Sequence, residues 1–120
     1  MGTQRFHKEV GFESGALKEI FGRLQRFSQI QYTRHAQLET IKDRYATIPV
    51  LKLVDIKPND VFEYTKELGE ITRFAIRIKN FDKGLDFCYS VSLDGNVITV
   101  WANTKEDSHQ TLNVAQYVGV

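Results

Sequence analysis

Between residues 61 and 102 the chain alternates apolar and polar side chains in four runs, 61–65, 71–79, 85–92 and 97–102, each rich in β-branched and aromatic residues. Turn signals separate them: Glu67-Leu68-Gly69-Glu70, Asn80-Phe81-Asp82-Lys83-Gly84 and Asp94-Gly95-Asn96. Asp-Gly between alternating hydrophobics favours a hairpin, because glycine tolerates the positive φ of twist-matched turns. The pattern predicts a four-stranded antiparallel meander. Within it Phe74, Ile76 and Ile78 form one row, and Arg73, Ala75, Arg77 and Lys79 the other. Phe87, Tyr89 and Val91 oppose Cys88, Ser90 and Ser92, and Val97, Thr99 and Trp101 oppose Ile98, Val100 and Ala102. One face is expected to pack on a helix, the other to present Arg73, Arg77 and Lys79 to water or a ligand.

Upstream, residues 33–45 read as a helix with Thr33 as N-cap and Ala36, Leu38, Ile41 and Tyr45 as a rough apolar stripe, ended by Ile48-Pro49. Leu17, Ile20, Phe21, Leu24 and Phe27 give residues 15–27 helical spacing, although Gly22 interrupts it at a cost of about 1 kcal/mol against alanine. Residues 6–12 read as a strand or a frayed arm, and 29–32 as a short strand. No repeat or linker interrupts the chain. The expected architecture is one α+β domain over residues 1–120: one or two N-terminal helices packed on the meander, with 31–120 as the core and 1–30 as an N-terminal extension.

Composition narrows the classes. The chain has 120 residues and one cysteine, so no intramolecular disulfide forms and nothing points to an oxidising compartment. Arg5, His7, Lys8 and Glu9 stand where a signal peptide needs an apolar stretch, and no run approaches a membrane span, so a cytoplasmic protein is expected, without a membrane partner. The net charge of +1 excludes a strongly basic nucleic-acid coat. Residues 1–60 hold ten Lys/Arg against seven Asp/Glu and residues 61–120 six against eight, giving +3 and −2.

Gly-rich phosphate loops, G-x-S-x-G and cysteine clusters are absent from the sequence. Cys88 lies inside an apolar strand, where a cysteine is usually a packing residue. Two polar groups stand out: Arg34 and His35 at the start of the main helix, with Lys42 and Arg44, and the strand end running from Trp101 through Asn103 and Lys105 to Asp107 and His109. An unperturbed imidazole has its pKa near neutrality, which makes His35 and His109 candidates for general base and acid, with Asn103 beside them. RNA cleavage needs such a pair plus cations for the phosphorane-like transition state, which Arg44, Arg73, Arg77 and Lys105 would supply; Trp101 would stack on a base. Neither metal nor cofactor is required. A scaffolding role stands beside this one: a histidine in a first helical turn often bonds a backbone carbonyl, Asp107 and His109 would tie down a loop, and Trp101 would pack as a core or lid residue. His35 and His109 lack a third zinc ligand at a recognisable spacing.

The segment Tyr32-Thr33-Arg34-His35-Ala36 with Asp43-Arg44-Tyr45, and the segment Thr99-Val100-Trp101-Ala102-Asn103 with Asp107, His109, Thr111, Leu112 and Tyr117, resemble a group of small, mostly uncharacterised bacteriophage and prophage proteins over residues 30–118. More distantly, a Tyr-x-x-His-Ala helix before an antiparallel meander resembles the RelE-like (RegB-like) superfamily of ribonucleases and toxins. That resemblance implies a helix on one face of a four-stranded sheet and metal-independent RNA cleavage in a bacterial host. By position, His35 would be helix-borne, Arg73 and Arg77 sheet-borne phosphate ligands, and Asn103, Lys105 and His109 the strand-end group. The chain is less basic than typical RelE-like toxins. Three classes of function follow: a small endoribonuclease or RNase-like toxin acting on RNA; a non-enzymatic accessory protein that binds and inhibits a host protein or nucleic acid; and a self-assembling component that uses the edge of strand 61–65.

Overall fold

The computed structural model describes residues 3–7, 13, 15–42, 47–80 and 84–104. Eight elements follow one another: β1 (Thr3–His7), α1 (Ala16–Leu24), β2 (Gln31–Tyr32), α2 (Arg34–Lys42), β3 (Val61–Glu67), β4 (Glu70–Asn80), β5 (Leu85–Ser92) and β6 (Asn96–Thr104). Single 3-10 turns at Leu53–Asp55 and Pro58–Asp60 lead into β3. The fold is α+β, with the expected meander β3–β6 as its interior.

The sheet is larger than four strands. Its order is β1-β3-β4-β5-β6-β2, with β1 antiparallel to β3 and β2 parallel to β6. The self-assembly edge expected at 61–65 is occupied over 63–65, because β1 pairs along β3 from Thr3↔Glu67 to His7↔Glu63. The part of the 6–12 expectation beyond His7 falls outside the described residues, as do residues 43–45 of the main helix.

Short-range chemistry explains the connections. Leu68 and Gly69 both take positive φ, 53° and 82°, between Glu67 and its partner Glu70, which makes a two-residue turn whose twist matches its strands. At Asp94-Gly95, the Asp94 carboxylate accepts hydrogen bonds from the Ser92 hydroxyl and the Asn96 amide, which hold its pKa below the ordinary value. Thr33 caps α2 as expected, its Oγ1 accepting the Ala36 N–H at 3.1 Å.

One face of the sheet carries the core. Phe6, Tyr64, Phe74, Ile76, Tyr89 and Val97 all lie in it, the Phe6 and Tyr64 rings stacked with centroids 4.7 Å apart. α1 closes it with Ala16, Ile20 and Leu24, spaced one helical turn apart. α2 buries Ala36, as expected, together with Thr40, while Leu38 and Ile41 of the expected stripe stay 42% and 68% exposed. Its small-residue face lets the helix lie close against β6. Tyrosine hydroxyls tie the remaining backbone in: Tyr32 Oη accepts from Leu51 N–H at 2.6 Å and Tyr89 Oη donates to Pro49 O at 2.7 Å. Burial raises the pKa of both phenols, so both stay protonated.

The two sides of β6 are set by an extra residue. β5 and β6 pair Tyr89↔Val100 and Ser90↔Thr99, then Val91↔Val97, so Ile98 is skipped in a bulge. Val97 and Val100 consequently both face the core, 0% and 1% exposed, instead of lying on opposite faces as strict alternation predicts.

The glycines give a stability test. A Cβ on Gly22 meets nothing within 4 Å, whereas at Gly95, with φ +95°, it would lie 3.0 Å from the Phe27 ring. Gly22→Ala is expected to stabilise by about 0.5–1 kcal/mol and Gly95→Ala to destabilise by about 1 kcal/mol or more, as measured by urea unfolding.

Candidate functional site

The helices α1 and α2 bury one face of the sheet, and the side chains of the second face fall into four rows by register. Arg5, Thr65, Arg73 and Ser92 form the first row, and His7, Glu63, Ala75, Ser90 and Thr99 the second. Arg77, Cys88 and Trp101 form the third, and Lys79, Asp86 and Asn103 the fourth. This face is polar because the helices and the 47–60 segment bury the other one. Alternation sends every second residue here.

Two ion pairs organise it. Arg5 grips Glu63 through both Nε, at 2.8 Å, and Nη2, both on the same Oε1. Arg77 Nε donates to Asp86 Oδ2 at 2.7 Å, with the Asp86 side chain 4% exposed. Asp86 Oδ1 is buried with no hydrogen-bond partner among the described residues. Arg73 has no acidic partner among the described residues, and Lys79 is exposed. The paired arginines are locally neutralised, so the free positive charge of the face rests on Arg73 and Lys79.

Of the expected site residues, Arg73, Arg77, Trp101 and Asn103 come together on this face. Arg44, Lys105 and His109 lie outside the described residues. His35 is elsewhere. Its Nε2 lies 3.3 Å from Glu39 Oε1 on the next turn of α2, and the same oxygen accepts the Val100 N–H at 3.1 Å. That amide points away from β5, toward the outer edge of β6, where Thr33 Oγ1 also donates to Ile98 O. His35 thus stands at the margin of the sheet, while Arg73 and Arg77 project from β4, two strands inward or about 10 Å. Its partner Glu39 closes the part of the β6 edge that the two-residue β2 leaves unpaired.

The face also holds side chains that the sequence did not bring forward. His7, Glu63 and Asp86 are 6%, 8% and 3% exposed, and Arg5 clamps Glu63. His7 and Glu63 are register partners 56 positions apart in the chain, and no local spacing links them. Cys88 is buried and in no disulfide, in register between Arg77 and Trp101. No cluster of three or more His, Cys, Asp or Glu able to hold a metal occurs among the described residues. No helix of the described residues is long and apolar enough to cross a membrane. A shallow cleft of about 370 Å³ lies on the other side, lined by Glu19, Arg23, Arg26, Gly69 and Glu70. Its charges are mixed, and Arg23 is engaged with the Ile71 carbonyl at 2.6 Å.

No protein-family model matches the chain, and comparison with curated proteins and with solved structures finds no match.

The contacts of Glu39 separate scaffold from chemistry on α2. Glu39→Ala leaves the Val100 N–H without its acceptor and is expected to cost about 1–2 kcal/mol. His35→Ala removes only an exposed pair and should change stability by less than about 0.5 kcal/mol. Urea denaturation of the two variants distinguishes these outcomes.

Proposed function

We propose that the protein is a small, metal-independent endoribonuclease of bacteriophage type that holds single-stranded RNA across the helix-free face of its sheet. The observation that carries this reading is the grouping of Arg73, Arg77 and Lys79 with Trp101 and Asn103 on one face. Cations on such a face engage phosphates, an indole stacks on bases without regard to sequence, and a carboxamide offers both a donor and an acceptor to a base edge.

The net charge of +1 is consistent with a face rather than a whole surface devoted to the polyanion. Arg5 and Arg77 are offset by Glu63 and Asp86, which keeps affinity moderate, as turnover of a substrate requires. Cleavage on this reading draws on the sheet. His35 is held by Glu39 on the far side of β6.

A second reading, a non-enzymatic accessory protein that inhibits a host protein, is favoured by the apolar side chains outside the core. Ile41, Val50 and Val54 are 68%, 64% and 74% exposed on α2 and the segment after it.

Incubation of the full chain with end-labelled single-stranded RNA in EDTA tests the first reading. RNA is expected to be cut, and Arg73→Glu to slow cutting at subsaturating RNA by about tenfold or more, the loss of one charge-assisted phosphate contact and its replacement by repulsion. RNA that stays intact over a wide range of protein concentration overturns it. Stoichiometric capture of one host protein, abolished by Ile41→Asp, would then establish the second.

A further inference from the structure

We infer that Lys79, Asn103 and Trp101 form a base-reading subsite that takes a keto base, uracil or guanine, in preference to an amino base, cytosine or adenine. The inference rests on the proposed binding of RNA to the helix-free face and names what that face reads in its substrate. It is carried by the fourth register row and its neighbour. Lys79 on β4 and Asn103 on β6 both stand in register with Asp86 of β5, and Trp101 precedes Asn103 by two positions on the same side of β6. Lys79 is exposed, and Trp101 and Asn103 are partly exposed, so all three are open to a ligand.

The spacing suits one heterocycle. Adjacent strands lie about 4.8 Å apart, so the Lys79 and Asn103 backbones stand about 10 Å from each other with Asp86 between them. A long lysine stem and a short carboxamide reach in from the two sides and leave room for the edge of one base. Trp101 lies about 7 Å from Asn103 along β6, and a base laid on its indole turns an edge toward Lys79 and Asn103. Arg73 is about 20 Å from Lys79 along β4, beyond the reach of the same nucleotide. Phosphate binding and base reading thus fall to different cations at opposite ends of one strand.

Hydrogen-bond polarity decides which base fits. An ammonium and an indole N–H only donate, whereas a carboxamide offers two donors and one acceptor oxygen. Among the described residues the side chains of Lys79, Trp101 and Asn103 make no hydrogen bond or ion pair, so these donors are not taken up within the sheet. The carboxylate of the row would reverse that balance, but Asp86 is 3% exposed and its Oδ2 accepts from Arg77 Nε at 2.7 Å. Its Oδ1 is buried as well. What the row presents to a ligand is therefore an excess of donors.

Keto and amino bases differ at this point. Uracil O4 and guanine O6 are acceptors beside a ring N–H, whereas cytosine N4 and adenine N6 are amino donors beside a ring acceptor. With a keto base, Lys79 Nζ donates to the keto oxygen while Asn103 Oδ1 accepts the ring N–H. With an amino base Asn103 still pairs, because a carboxamide carries both polarities, but the ammonium meets another donor. Asn103 thus holds the base edge and Lys79 sets the preference. Water competes for the exposed Lys79, which puts the expected preference at the lower end of what one good base contact gives, about fivefold.

The test measures binding of the full chain to two uncleavable single-stranded probes of equal length, fluorescein-labelled 2′-O-methyl oligouridine and 2′-O-methyl oligocytidine, by anisotropy at pH 7. Wild type is expected to bind the uridine probe about fivefold more tightly. Lys79→Glu replaces a donor by an acceptor and is expected to weaken binding of both probes and to reverse their order, oligocytidine now binding more tightly. Asn103→Ala is expected to bring the two affinities within about twofold of each other. Arg73→Glu weakens both and leaves their ratio unchanged, as the loss of a phosphate contact requires. Oligocytidine bound by the wild type as tightly as oligouridine or more so, or a ratio that Lys79→Glu leaves as it was, overturns the assignment and leaves the RNA reading standing. If Lys79→Glu does not fold, Lys79→Ala takes its place, and a ratio unchanged from wild type overturns the assignment in the same way. Probes that the wild type does not bind at all remove the RNA reading and this assignment with it.

Discussion

The whole arrangement depends on a sheet buried on one side only. α1, α2 and the 47–60 segment cover one face, so each strand must send its apolar residues there and its polar residues to the other. β6 meets this demand only by skipping Ile98. Without the bulge either Val97 or Val100 would turn outward, and leaving a valine exposed instead of buried costs about 1.5–2 kcal/mol. The bulge also keeps Thr99, Trp101 and Asn103 in step with Ser90, Cys88 and Asp86. A packing requirement at one position thus fixes which side chains share the polar face.

That face is held together by charge as well as by backbone. Arg5–Glu63 joins the edge strand β1 to β3, and Arg77–Asp86 joins β4 to β5. Both pairs are partly or wholly withdrawn from water, where removing one partner leaves the other charge uncompensated and is strongly unfavourable. They therefore hold their geometry while leaving Arg73 and Lys79 as net positive charge. The opposite margin is closed differently: Glu39 accepts the Val100 amide beyond the reach of the short β2, and α2 shields the edge that an unpaired strand would offer to another chain.

Much of this was legible in the sequence. Alternation over residues 61–102 and the Asp94-Gly95 turn located the meander, Thr33 marked the start of α2, and the row of Arg73 and Arg77 was separated from Phe74 and Ile76. Local signals marked a short strand at 29–32, where β2 lies, and a strand or arm from 6 onward, where β1 ends, but not their pairings: β2 lies parallel to β6, and β1 pairs with β3 more than fifty positions away. The partners of His7 and Glu63 depend on that distant register, so no spacing along the chain joins them. His35 carried a recognisable helix-start setting, yet its neighbour four residues on, Glu39, ties it to the sheet margin. The apolar stripe of α2 misled for a related reason: Ala36 and Thr40 let the helix approach β6 closely, and Leu38 and Ile41 were left outside.

The central claim is that RNA lies on the helix-free face, and the single tryptophan of the chain, Trp101, stands on it. Its emission, titrated with the uncleavable 2′-O-methyl RNA while fluorescence anisotropy follows binding of the same oligonucleotide, is the most direct measurement. The account predicts a saturable change in Trp101 emission with the same midpoint as the anisotropy, as an indole stacked on a base requires. RNA that binds by anisotropy while Trp101 emission stays unchanged, or that does not bind at all, contradicts it.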